Sequence, residues 1–137
     1  MKILVAVDGT RYSKRMLAYL AAHDEWLGAH HAYTVLTVVP PVPSEALGDL
    51  LREHDIYITA SRNDPCSNAL IEALSCGLPA LYRDDGGHPE LVGTGGLPFQ
   101  DENDVLRQLD SLAHNLATFQ RLLQPPSLDA AVNAYLE

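Results

Sequence analysis

The sequence predicts an α/β fold: a five-stranded parallel sheet, doubly wound, with helices on both faces in a three-layer αβα arrangement. Three observations predict it. Apolar runs without a polar face, above all "ILVAV" at 3–7, read as strands buried on both sides, which is the mark of a parallel sheet. These runs alternate with stretches of helical period, the pattern of βαβ units. Gly, Pro and Asp-Gly punctuate the changes from one to the other. Right-handed crossovers require the chain to wind outward from the first strand in both directions if both faces are to be covered. The spatial order is then 2-1-3-4-5, a Rossmann-like or flavodoxin-like sheet with a switch point between strands one and three, where ligands bind at the carboxyl ends.

The elements follow in order. "KILVAVDGT" is a buried strand closed by the Asp8-Gly9 turn. Tyr12, Met16, Tyr19 or Leu20, His23 and Leu27 recur at helical spacing until Gly28 ends the pattern. "AYTVLTVV" is a β-branched strand stopped by Pro40 and Pro41. Ser44 suits the N-cap of a helix carrying Leu47, Leu50 and Leu51, and "DIYITAS" is the third strand. A helix over 64–76 ends at Gly77, "PALYR" is the fourth strand, 88–92 a helical turn, and "GLPF" the fifth strand. Val105, Leu109, Leu112, Leu116 and Phe119 form one apolar stripe, and Pro125-Pro126 breaks it before a final helix ending near Leu136.

Composition bounds what such a chain can do. With 137 residues it is read as one domain over 1–137, long enough to bury roughly 70% of the surface its unfolded chain exposes. A net charge of −9 argues against nucleic-acid or anionic-membrane partners, both of which rest on clustered positive charge. Cys66 and Cys76, without a C-x-x-C partner, read as free thiols in a reducing compartment, and no metal site is expected. The five-residue apolar run after Lys2 is too short for a signal peptide or a membrane span. The expectation is a cytoplasmic protein without an obligate protein partner, monomeric or weakly dimerising.

The stretch "RNDPCSNALIEALSCGLP", 62–79, carries the chemistry. It sets acids at Asp64 and Glu72 around the start of a helix. A helix start presents unpaired N–H groups and partial positive charge to diphosphate oxygens. A carboxylate can accept from two vicinal hydroxyls at once, as ribose offers. Gly86-Gly87 would let backbone approach a ligand closely, and Arg11 and Lys14, following strand one, lie toward the same end of the sheet. Structural readings stand beside these. Asp64 before Pro65 is an ordinary N-cap with proline at the first helical position, Asp8 before Gly9 a turn former, Glu72 part of a solvated face, His88 a structural residue, and Arg62 an exposed partner for Asp64 or Glu72.

Two resemblances divide the chain. Residues 1 to about 43 resemble universal stress proteins at "ILVAVDGT-x2-S" and "VVPP". That resemblance implies contacts to the adenosine of ATP from Asp8 and from the backbone at Val38 or Val39. The stress proteins' phosphate loop, G-x2-G-x9-G-[ST], has no counterpart in the chain. Residues from about 45 to 137, in "LLREHDIYITASRNDPCSNALIEALSCGLPALYRDDGGHPELVGTGGLPF", resemble the carboxyl-terminal donor half of retaining glycosyltransferases of the two-domain B architecture. There the E-x7-E motif falls on Asp64 and Glu72. The resemblance implies that Glu72 holds the nucleotide ribose and Asp64 faces the transferred sugar, while amides of Cys66, Ser67, Asn68 and Ala69 approach sugar or phosphate.

The leading expectation is therefore a stand-alone chimeric or engineered Rossmann-like domain, a stress-protein half joined to a glycosyltransferase half near 41–45. It would have no selected catalytic activity and no required cofactor. Residual nucleotide or nucleotide-sugar binding would fall at Asp8, Arg62, Asp64, Cys66, Ser67, Asn68, Ala69, Glu72, Gly86 and Gly87. The first alternative is the donor-binding domain of a glycosyltransferase that works with a separate acceptor domain. The second is an ATP-binding protein of the stress type. On its own the chain is not expected to be an enzyme, since a transferase must hold two substrates in one cleft.

Overall fold

The computed structural model describes residues 1–7, 10–23, 31–37, 44–64 and 68–124. Among them the strands are β1 (Lys2–Val7), β2 (Ala32–Thr37), β3 (Ile56–Thr59), β4 (Ala80–Arg83) and β5 (Gly96–Phe99). The helices are α1 (Arg11–Ala22), α2 (Ser44–Arg52), α3 (Asn68–Ser75), α4 (His88–Val92), α5 (Glu102–His114) and α6 (Leu116–Arg121). The sheet is parallel throughout and runs β2-β1-β3-β4-β5, the order expected from the crossover rule.

Two-residue periodicity in the strands divides the interior into two cores. Ile3, Val5, Ile56, Ile58 and Leu81 point to one face, where they meet Met16 and Leu20 of α1 and Val105, Leu109 and Leu112 of α5. Leu116 and Phe119 of α6 pack on the rim of the same core. Leu4, Tyr57, Ala80 and Tyr82 point to the other face, against Leu51 of α2, Leu70, Ala73 and Leu74 of α3 and Val92 of α4. Strand β1 is buried from Ile3 to Val5 because both faces are covered, which is why its sequence shows no polar alternation.

Helix ends follow local chemistry. The Thr10 hydroxyl accepts from the Ser13 N–H and caps α1, and Asp101 accepts from the N–H groups of Asn103 and Asp104 to cap α5. Helix α3 closes in a Schellman motif: Gly77 takes φ +88, its N–H reaches the Leu74 carbonyl at 3.1 Å, and the Leu78 N–H reaches that of Ala73 at 3.1 Å. One local expectation is corrected. The inward face of α1 is Ser13, Met16 and Leu20, so Tyr12 is left to face the loops. The apolar stripe Val105, Leu109, Leu112, Leu116 and Phe119 faces one core as expected, shared between α5 and α6, which meet at Asn115. Leu27, Gly28, Pro65, the prolines at 40–41 and 125–126 and the final helix lie outside the described residues.

Candidate functional site

The loops leaving β3 and β4 at their carboxyl ends are fastened to each other. The Arg62 guanidinium donates to the Asp85 carboxylate at 3.0 Å, and the Asn63 N–H donates to the second oxygen of that carboxylate at 3.3 Å. The Gly87 N–H donates to the Asp64 carbonyl at 2.9 Å. Asn63 takes φ 55, a left-handed conformation that its short polar side chain tolerates. Gly86 takes φ +59, and a Cβ there would fall 2.5 Å from the Asp64 carbonyl oxygen. The close approach that Gly86 permits is thus to the Asp64 backbone. Arg62 pairs with Asp85 rather than with Asp64 or Glu72, and its guanidinium holds the Asp85 carboxyl below the usual carboxylate range, with the Asn63 N–H adding to the effect.

Beside this junction, at the start of α1, the Tyr12 ring collects cations. The guanidinium carbons of Arg62, Arg11 and Arg83 lie 4.6, 4.9 and 5.6 Å from its centroid, within cation–π range. Arg11 also donates to the Tyr12 hydroxyl at 2.9 Å. That bond, and then the Arg62 guanidinium, pull the Tyr12 phenol below its ordinary value. Lys14 is exposed on α1 and is not among the cations on the ring.

The negative charges of the two spaced acids are both felt at Tyr57. Tyr57 of β3 is 2% exposed, and its phenol is pushed up by burial first, then by Glu72, then by Asp64. Glu72 is exposed on α3, Asp64 and Ala69 are half-buried, and Asn68 is exposed at the first turn of α3. Asp8, Cys66 and Ser67 lie outside the described residues. His88 is fully buried at the start of α4, its Nδ1 3.0 Å from the Arg83 carbonyl and its ring edge-on to Tyr82. Inside the fold it holds β4 to α4, with no open path to a substrate. Its Nε2 has no partner among the described residues.

Sequence reasoning reached Arg62, Asp64, Glu72, Gly86 and Gly87 but missed Tyr12, Tyr57, Arg83 and Asp85. Tyr12 reads as a member of the α1 apolar stripe, and Arg83 and Asp85 are single polar residues at a strand end. Their one available signal is topological, since the carboxyl ends of β1, β3 and β4 are neighbours in the 2-1-3-4-5 order.

Two hollows lie elsewhere. One of about 250 Å3 is lined by Val5, Leu17, Leu20, Ala21 and Tyr33 between α1 and the β1–β2 pair. The other, of about 370 Å3, is lined by Met1, His31, Asp110, Ala113 and His114 at the amino ends of the strands. Neither is lined by the loop residues 61–64 or 84–87, where the polar groups converge. Among the described residues no group of His, Cys, Asp and Glu is arranged to hold a metal, no helix is long and apolar enough to cross a membrane, and Cys76 carries a free thiol.

A parallel sheet in this order, with polar loops gathered at its carboxyl edge, defines a Rossmann-like α/β domain. Residues 2–115 match the model of the family described as glycosyl transferases group 1, and the chain belongs to that family. It is similar to the phosphatidylinositol N-acetylglucosaminyltransferase GPI3 subunit of Saccharomyces cerevisiae, in strains YJM789, RM11-1a and S288c. The identity is 25% over 105 residues, 77% of this chain and 22% of each relative. Among solved structures it resembles the pneumococcal O-GlcNAc transferase GtfA in complex with UDP and GlcNAc. There the TM-score is 0.62 at 15% identity, over 88% of this chain and 31% of that one. The chain spans about a fifth of the length of these curated relatives and about a third of that structure.

One expectation is corrected. The family model takes in residues 2–43 together with the rest, straight across 41–45, so the proposed junction and the stress-protein half lose their basis. The physical reason is that "ILVAVDGT" is what a two-face-buried parallel strand closed by a tight turn must look like in either family.

Proposed function

We propose that this chain is the donor-binding domain of a glycosyltransferase. In this reading it takes a nucleotide sugar at the carboxyl edge of the sheet and works with an acceptor bound by another domain or subunit. The observations that carry the proposal are the interlocked loops at 62–64 and 85–87 at the carboxyl edge of the sheet, with Asp64 in one of them and Glu72 on the helix that follows, in a chain of the glycosyl transferases group 1 family. Glu72, exposed on α3, accepts from the two ribose hydroxyls. Asp64 faces the sugar, and Asn68 and Ala69 at the start of α3 offer their N–H groups to the ligand; Cys66 and Ser67, outside the described residues, are assigned to the same role from the sequence alone. Asp8, whose position lies outside the described residues, enters the reading through its place in the sequence after β1. Gly86 and Gly87 act by keeping Asp64 in place. The whole chain, 1–137, works as one Rossmann-like unit, and none of its residues is assigned a covalent catalytic role. The reading as a scaffold without selected activity is the outcome to which a failed test returns.

The test is a two-dimensional amide NMR titration of the labelled protein with UDP, GDP, ADP and matching nucleotide sugars. UDP comes first because the structural relative GtfA is described with UDP and GlcNAc. Selective shifts at 64–72 that vanish in a folded Glu72→Ala protein are expected. A dispersed spectrum that moves for no nucleotide refutes the proposal. Adenine-nucleotide binding indifferent to Glu72 restores the stress-type reading.

A further inference from the structure

The two edges of the sheet are built differently. Strand β5 has four residues, with Pro98 among them, and the Pro98 carbonyl accepts from the Gln108 side chain of α5 at 2.8 Å. Proline and a covering side chain both stop a further strand from pairing there. Strand β2, at the other edge, has six residues with neither proline nor charge. Among the described residues it pairs with β1 alone. The Ala32 N–H donates to the Met1 carbonyl at 2.8 Å, which fixes the parity of the strand. Ala32, Thr34 and Leu36 turn their backbone groups toward β1, while Val35 and Thr37 turn theirs outward. Val35 lies beside Val5 in the register, on the face that carries the apolar hollow at Val5, Leu17, Leu20, Ala21 and Tyr33, yet it is 47% exposed. On the opposite face the Thr34 hydroxyl is 2.7 Å from the His54 Nε2, which ties β2 to the segment after α2.

We infer that the outer edge of β2 is a self-association surface, on which a second copy of this chain adds its own β2 antiparallel about a two-fold axis at Val35. In that register Val35 faces Val35 of the partner subunit and Tyr33 faces Thr37 of the partner subunit, the β-branched and aromatic pairs that stabilise neighbouring strands. The outward backbone groups of Val35 are then exchanged between the copies. Charge selects a second copy as the occupant. The chain carries −9 overall, yet no Asp, Glu, Lys or Arg falls between 32 and 44. Two copies therefore meet here without bringing carboxylates together, and a charged partner strand would find no opposite charge to pair with. The contact is isologous and closes at two copies, and the blocked β5 edge keeps the joined sheet from growing further. Each copy contributes five strands to it. Antiparallel addition sends the carboxyl ends of the two halves to opposite ends of the dimer, so the loops at 62–64 and 85–87 stay open in both copies. The inference stands apart from the function proposed above.

The test is sedimentation equilibrium of the full chain from micromolar to millimolar concentration, with amide hydrogen exchange followed at both extremes. A monomer–dimer equilibrium is expected. The Val35 and Thr37 amides should exchange slowly in the dimer and fast on dilution, while the Ala32 amide, bonded to β1, stays protected throughout. Val35→Pro removes an N–H that points away from β1, where an edge strand tolerates proline. It deletes two interstrand bonds from each dimer and is expected to weaken association by about tenfold to a hundredfold. Val35→Lys sets like charges opposite each other at the two-fold and is expected to weaken it by at least about tenfold. Leu122→Lys, at another exposed apolar residue, is expected to leave the dissociation constant unchanged. Far-UV circular dichroism checks that each variant is folded. A chain that stays monomeric at millimolar concentration overturns the inference, as does a folded Val35→Pro protein that associates as tightly as the wild type. A dimer whose Val35 and Thr37 amides exchange as fast as in the monomer also overturns it, because association then uses another face. Protection of those two amides at every dilution overturns it too, since the edge is then covered within one chain.

Discussion

Replacing Gly86 by alanine tests how tightly the loops after β3 and β4 are joined. The residue takes φ +59, where a side chain with a Cβ costs about 1–2 kcal/mol. The added carbon would also sit 2.5 Å from the Asp64 carbonyl oxygen and 3.0 Å from its nitrogen, and these are backbone atoms that cannot swing aside. The loop must move, and the Gly87 N–H to Asp64 carbonyl bond of 2.9 Å is lost for about 1 kcal/mol more. Gly77→Ala is the control, because Gly77 takes φ +88 at the end of α3 with nothing within 4 Å of the added carbon. It should show the conformational cost alone. Gly86→Ala is expected to lose on the order of 2–3 kcal/mol, a fall in melting temperature of about 6–15 °C for a domain of this size. Urea unfolding of the two variants, with unchanged slope, reads the difference. If Gly86→Ala unfolds at the same midpoint as Gly77→Ala, the loops are not in contact as described.

Two further outcomes follow from the interior. Leu109 is 1% exposed in the core between α5 and the sheet, so Leu109→Ala is expected to cost about 2–5 kcal/mol in urea unfolding; a loss below 1 kcal/mol would mean that α5 does not cover that face. Burial first, then Glu72 and Asp64, raise the Tyr57 phenol, so folding favours its protonated form. That contribution is whole below the unfolded tyrosine value of about 10 and falls as pH rises beyond it, by at most about 1.4 kcal/mol per pH unit. Tyr57→Phe should therefore flatten the loss of stability between pH 9 and 11, and an unchanged slope would place the ionising group elsewhere.

The fold was legible because its determinants are local or chiral. The Ile3–Val7 run declares a two-face-buried strand, Gly77 ends α3 in the Schellman motif its position suggests, and handedness converts the βα alternation into the strand order. The site was legible only where a motif lies within one stretch. Asp64 and Glu72 share a segment, but the phenol at which both charges are felt belongs to β3, and the partner of Arg62 is Asp85, 23 residues away. Tyr12 was misplaced because a tyrosine at helical spacing looks the same whether it faces the core or a ring of arginines. The stress-protein reading failed for a related cause: a buried strand and its turn are dictated by the sheet, so they carry little ancestry.

The fastening of Asp64, Asp85 and Gly87 also makes the β3–α3 and β4–α4 connections one mechanical part. Neither can be spliced alone. A graft that replaces 84–87 to redirect specificity would strip Arg62 and the Asn63 N–H of their acceptor, and one that replaces 61–64 would remove the carbonyl on which Gly87 hangs. Redesign of this edge of the sheet must exchange both connections as a matched set, and natural variants should be expected to change them in concert.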